Sequence, residues 1–176
     1  MNGIVLYRSK YGATKKYAEW LSEATGFDCI ETKKADIKKV LKYDIIILGG
    51  AIYASGIAGL PFLKKNFGKL SGKKIAVFCC CASPYEENAF RQVRDFNMKD
   101  GLADIPMFYT RGAWDPETMS FKDRTLCNML RKVVAKKDPS EYEVWERAIM
   151  EAGEDKCDWT DPKYLDPIIE WIGQAG

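Results

Sequence analysis

The run Tyr43-Asp44-Ile45-Ile46-Ile47-Leu48-Gly49-Gly50 constrains the fold more than any other stretch of the chain. Its four consecutive Ile/Leu residues leave no polar face, so a strand made of them must be covered on both sides. Strands of that kind belong to parallel sheets with helices packed over each surface. Two further stretches match it. Ile4-Val5-Leu6-Tyr7 and Ile75-Ala76-Val77-Phe78-Cys79-Cys80-Cys81 read as buried strands. Residues 27–31 and 105–110 complete a set of five, with Pro106 suited to an edge or a strand start.

Helical periodicity fills the intervals. Ala13–Thr25 places Tyr17, Ala18, Leu21 and Ala24 on one face and ends at Gly26, a good residue just past a helix. Shorter helical patterns cover 33–42, with Ile37, Val40 and Leu41 in phase, and 60–70, opened by Pro61. Over 85–98 the spacing turns Ala89, Phe90, Val93 and Phe96 inward. Over Phe121–Val134 it turns Leu126, Met129, Leu130, Val133 and Val134 inward. A helix over 141–152 follows the break Asp138-Pro139-Ser140, and Asp161-Pro162 opens a last one carrying Tyr164, Leu165, Ile168, Ile169 and Ile172. Trp145, Trp159 and Trp171 are expected to pack these late helices on the sheet.

The alternation predicts an α/β fold, a doubly wound five-stranded parallel sheet in the order 2-1-3-4-5, with helices on both faces and an extra helical segment near the C-terminus. A single domain over 1–176 is expected, since 47% hydrophobic and 30% charged residues supply a core and a solvated surface. In that order the segments 9–14, 51–56 and 81–85 converge at the carboxyl edge of the sheet, at the switch point.

Several function classes drop out. The chain has no histidine, which removes Ser-His-Asp and Cys-His nucleophiles and every histidine-bearing metal site. None of the six cysteines forms C-x-x-C, so no metal site is expected. Cys79, Cys80 and Cys81 read as reduced thiols packing as small apolar groups, Cys79 and Cys81 on one face and Cys80 on the other. The net charge of +2 creates no field for nucleic acid. No apolar run of transmembrane length occurs, and a cytoplasmic protein is expected. The basic residues Arg111, Arg124, Arg131, Lys132, Lys136 and Lys137 suit a carboxylate-bearing substrate or an anionic surface, so peripheral contact with a membrane stays open.

The stretch GIVLYRSKYGAT, residues 3–14, runs from a strand through a hydroxyl-bearing, glycine-containing turn into a helix. The first N–H groups of a helix lack intrahelical partners and sit at the positive end of its dipole, so the turn is an anion site. Ser9 and Thr14 add hydroxyls, and Gly12 permits close backbone approach.

Taken together, Ser9-x-Tyr11-Gly12-x-Thr14, the strand Tyr43 to Gly49 and aromatic residues in the next two loops resemble the flavodoxin-like FMN-binding family. The family's loop usually has threonine where Tyr11 stands. The resemblance implies FMN as cofactor, with its phosphate in Ser9, Lys10, Tyr11, Gly12, Ala13 and Thr14. It implies flavin-edge contacts from Ala51, Ile52, Tyr53, Ala54, Ser55 and Gly56, with Tyr53 flanking a ring face. Cys81 and Ala82 are expected to offer backbone contacts, Tyr85 a stacking ring and Trp114 a contact from the extra segment. No side chain stands out as an acid–base catalyst. Gly112-Ala113-Trp114 and the basic helix after it are similar to the branch containing flavodoxin-type protoporphyrinogen dehydrogenases, which pass electrons to a quinone. The resemblance thus implies an FMN-dependent oxidoreductase using a small-molecule or quinone acceptor, or alternatively a simple electron carrier that docks with protein redox partners.

Overall fold

The computed structural model describes residues 2–174, so the end residues of the expected 1–176 domain lie outside it. In chain order its strands are β1 (Gly3–Arg8), β2 (Asp28–Glu31), β3 (Ile45–Tyr53), β4 (Gly56–Ile57), β5 (Lys74–Cys81), β6 (Met107–Arg111), β7 (Ala113–Trp114) and β8 (Cys157–Asp158). Its α-helices are α1 (Ala13–Thr25), α2 (Ile37–Val40), α3 (Leu60–Asn66), α4 (Glu87–Asn97), α5 (Phe121–Val134), α6 (Val144–Ala152) and α7 (Asp166–Gln174).

The long strands form a parallel sheet in the order β2-β1-β3-β5-β6, which is the expected order once the small strand β4 is set aside. One row of the register runs Leu6, Leu48, Val77, Met107 across four strands. Alternation along each strand divides the core in two. Ile4, Leu6, Ile46, Leu48 and Val77 face the side covered by Val40, Leu60 and Leu63. Val5, Ile45, Ile47, Phe78 and Cys80 face Tyr17, Ala18 and Leu21 of α1 and Ile168 of α7. Each such large aliphatic side chain contributes about 1.5–3 kcal/mol by leaving water. Gly49 is required by this packing, because a Cβ there would lie 2.0 Å from the Phe78 ring. Cys79 and Cys80 fall on opposite sides, as the alternation predicts.

The structure corrects several local expectations. The 33–42 helix is reduced to a 3-10 turn, Thr32–Lys34, and the four residues of α2, capped by Asp36. The 60–70 helix stops at Asn66 and finishes as a 3-10 turn. Thr14 rather than Ala24 completes the buried stripe of α1, and Ala24 is exposed. On α4 the inward residue of the last turn is Asn97, while Phe96 is exposed. Ile169 and Trp145 also keep substantial exposure. The segment 51–56 is not an open loop: β3 runs on to Tyr53 and folds back as β4.

The largest departure is in α5. Its bounds agree with the periodicity, but its apolar stripe points outward: Phe121, Leu126, Met129, Leu130 and Val133 are exposed. Its inner face carries Asp123, Cys127, Arg131 and Val134. A polar tie fits this rotation: Asp123 on the inner face reaches Lys10 and Tyr11 in the loop after β1.

Candidate functional site: the carboxyl edge of the sheet

The loop after β1 is shaped by two features. Ser9 Oγ accepts a hydrogen bond from the Gly12 N–H at 3.1 Å, and Gly12 adopts φ +100°, a region glycine enters without strain. No side chain caps α1, whose hydrogen bonding begins with Lys16 N to Gly12 O at 2.9 Å. The first-turn N–H groups are thus left for a ligand. Thr14 Oγ1 lies in this first turn. Its side chain is 1% exposed, and the hydroxyl has no hydrogen-bond partner among the described residues. The Cys80 thiol is close enough to feel it but makes no hydrogen bond of proper geometry with it.

The far side of the loop is tied to α5. Asp123 Oδ2 accepts from Lys10 Nζ at 2.5 Å and from the Tyr11 hydroxyl, which itself accepts from Ser120 N at 3.2 Å. The Lys10 ammonium, ahead of the Tyr11 hydroxyl, holds the Asp123 carboxyl below its ordinary range.

A second wall is the β3–β4 hairpin. Its two turn residues, Ala54 and Ser55, have φ of 45° and 67°, where side chains are strained. Asn97 fastens this turn from α4. Its Oδ1 accepts from Ile57 N at 2.9 Å, and its Nδ2 donates to Ser55 O at 2.7 Å and Val93 O at 2.8 Å. Burial pushes the Tyr53 phenol up to about 12, so it stays protonated at neutral pH.

The third wall comes from the end of β5 and the segment after β6. Gly112 N donates to Cys81 O at 2.7 Å, and Arg111 Nε to Ala82 O at 3.2 Å. Trp114 is held in the β7–β8 ribbon, and its Nε1 donates to Gly153 O at 3.2 Å. Burial raises the thiols of Cys79, Cys80 and Cys81, Cys80 to about 11 and Cys81 to about 12, so none is a thiolate at neutral pH.

These walls enclose a cavity of about 870 Å³. Of the residues predicted from sequence, Ser9, Lys10, Tyr11, Ala13 and Thr14 line it from the first loop, and Ala51 to Ala54 line it from the hairpin. Cys81, Ala82 and Trp114 close it. Ser55 lines an adjoining cavity instead. Gly12 and Gly56 shape their turns without lining either, and Tyr85 lines neither. The Tyr85 ring is 56% exposed and packs on Phe90 and Tyr109, with centroids 5.6 and 5.4 Å apart. Asp123, Leu126 and Cys127 line the cavity without having been anticipated. Among the described residues no group of three or more His, Cys, Asp or Glu could hold a metal ion.

The family described as Flavodoxin domain matches residues 4–151. The chain belongs to that family. A flavin cofactor follows from membership, and the orphaned Thr14 hydroxyl, the uncapped α1 and the open turn at Gly12 fit an anionic group such as its phosphate. No curated protein matches the chain. Among solved structures it is similar to the flavodoxin of Megasphaera elsdenii, with 19% identity, 61% of this chain and 82% of that one covered, and a TM-score of 0.46. It is also similar to a WrbA-like flavodoxin of Agrobacterium tumefaciens, with 19% identity, 70% and 87% covered, and a TM-score of 0.44. Against the rubredoxin oxygen:oxidoreductase of Desulfovibrio gigas the identity is 14% and the TM-score 0.43, with 62% of this chain covered and only 30% of that one.

Proposed function

We propose that this chain binds FMN non-covalently in the cavity beside β1 and α1 and acts as a flavin-dependent oxidoreductase. The observation that carries this reading is Thr14 Oγ1, a buried hydroxyl left without a partner at the first turn of an uncapped helix. Such a group costs free energy until a ligand completes it, and a phosphate oxygen does so. Ser9, Gly12, Ala13 and Thr14 would hold the phosphate, with Lys10 adding positive charge. The hairpin from Ala51 to Gly56, the Tyr53 ring, Cys81, Ala82 and Trp114 would flank the flavin. Bound FMN supplies the electron or hydride transfer. The chain's own part is to bind it, orient it and keep water from it. The cavity's phenol and thiols keep their protons at neutral pH, so none serves as a general base.

The test is the spectrum of the purified protein and its thermal stability with added FMN. A flavin absorption spectrum, or a melting temperature raised by FMN, is expected. A colourless protein indifferent to FMN would overturn the reading.

A substrate-specific dehydrogenase of the protoporphyrinogen-to-quinone type is the more specific form of this proposal. The extra segment supports it, since Trp114 and α5 wall the cavity. The alternative is an electron carrier docking with protein partners, supported by the exposed apolar stripe of α5. Turnover of porphyrinogen with a menaquinone analogue separates them. Rapid reduction by a reductase with no such turnover excludes the dehydrogenase. A cytoplasmic location belongs to the proposal as well. Among the described residues no helix is long and apolar enough to cross a membrane.

A further inference from the structure

A second cavity of about 910 Å³ adjoins the first, and the two share Ile52, Ala54, Cys81 and Ala82. It lies between α4 and the α5–α6 segment. Five of its lining residues are aromatic: Phe90, Phe96, Tyr109, Tyr142 and Trp145.

Its charge is of one sign, whereas the first cavity's is mixed, with Arg8, Lys10 and Lys33 beside Glu31 and Asp123 in its lining. The charged residues lining the second are Glu86 and Glu143, and no lysine or arginine lines it among the described residues. Both carboxylates are fixed in place. Glu86 caps α4, accepting from Asn88 N at 3.0 Å and Ala89 N at 2.7 Å. Glu143 Oε2 accepts from Trp145 Nε1 at 2.8 Å. Those backbone hydrogen bonds also hold the Glu86 carboxyl below its usual range, so it is an anion at neutral pH.

We infer that this cavity seats the flavin's reaction partner and selects a flat aromatic molecule without negative charge. The inference rests on the flavin occupying the first cavity, so that the four shared residues bring the two ligands together. Aromatic walls favour a flat apolar ring. An anion entering there would lose water, meet two carboxylates and find no cationic partner. A carboxylate-bearing substrate is therefore the class this cavity turns away, so the inference goes against a porphyrinogen, with its carboxylate side chains, as the molecule seated here.

The test uses two probes of equal shape, naphthalene-2-carboxamide and naphthalene-2-carboxylate, titrated into the FMN-loaded protein by calorimetry and by the visible flavin band. The amide should bind about tenfold or more tightly than the carboxylate and shift the flavin band. Trp145→Ala should weaken the amide about tenfold while leaving FMN affinity unchanged. Glu86→Gln with Glu143→Gln, which keeps an accepting side-chain oxygen at each position, should bring the two probes within about threefold. Equal affinity for both probes in the unaltered protein would overturn the inference. So would an undiminished affinity in Trp145→Ala, or release of FMN by the amide. If the protein takes up no FMN, the flavin reading fails by itself. Calorimetry on the flavin-free protein then still reports whether the cavity discriminates by charge.

Discussion

The Tyr11 hydroxyl donates to the Asp123 carboxylate across 112 residues of sequence, joining the loop after β1 to the first turn of α5. Lys10 reaches the same oxygen at 2.5 Å, so one carboxylate holds two neighbouring residues of the proposed phosphate loop. Its pKa is depressed in the folded protein. The tie therefore contributes stability above the unfolded value of about 3.9 and loses it as pH falls through the lower folded value. Asp123→Asn should be less stable than the parent at neutral pH, and the gap should close in strong acid. Denaturant melts across that range measure it. A gap that persists with Asp123 protonated would mean the ion pair is not its source.

Thr14→Val tests the orphaned hydroxyl from both sides. Without flavin the substitution removes an unpartnered buried polar atom and should leave stability unchanged or raised. FMN binding should weaken by about 1–3 kcal/mol through the lost hydrogen bond to phosphate. Thermal melts of the flavin-free protein and an FMN titration read the two effects separately.

Asn97→Ala should destabilise the protein by about 2–3 kcal/mol, because it strands the buried Ile57 N–H and frees Ser55 O. Asn97→Asp keeps the acceptor for Ile57 and should cost less at acidic pH than at neutral pH, where the new carboxylate would be buried as a charge. Urea denaturation gives both values.

The three strand cysteines ionise later in the folded chain than in the unfolded one, Cys80 near 11 and Cys81 near 12. As pH rises past the ordinary thiol value of about 8.5 the unfolded state loses protons first, so stability should fall with alkalinity. At neutral pH iodoacetamide should leave Cys79, Cys80 and Cys81 unmodified in the native protein and label them in urea, as read by mass spectrometry.

The parts legible in the sequence were those with a redundant signal. Unbroken Ile/Leu runs, helical spacing and Gly26 agree on where β1, α1, β3 and β5 lie, and the strand-turn-helix junction locates the first loop. Asp123 was not legible, because an acidic residue in the first turn of a helix is common with or without a distant partner. Asn97 likewise reads as an ordinary helix-end residue until the hairpin is seen against it. Periodicity identified the apolar stripe of α5 but assumed that it faces the core. Which way a stripe points depends on polar contacts from elsewhere in the chain. The stacking role of Tyr85 rests on the family resemblance, and the packing of its ring on Phe90 and Tyr109 is a tertiary matter.

The inverted α5 has a consequence for how the molecule breathes. Most helices are anchored by the apolar area they hide, whereas this one leaves Leu126, Met129 and Val133 in water and is fastened by a polar clasp at Asp123, with Val134 its one fully buried side chain. Detaching it exposes little new apolar surface, so its opening free energy should sit far below that of α1. Amide hydrogens of α5 should therefore exchange with solvent much sooner than those of α1, and the wall that α5 lends the cavity is the one that can be lifted without unfolding the rest.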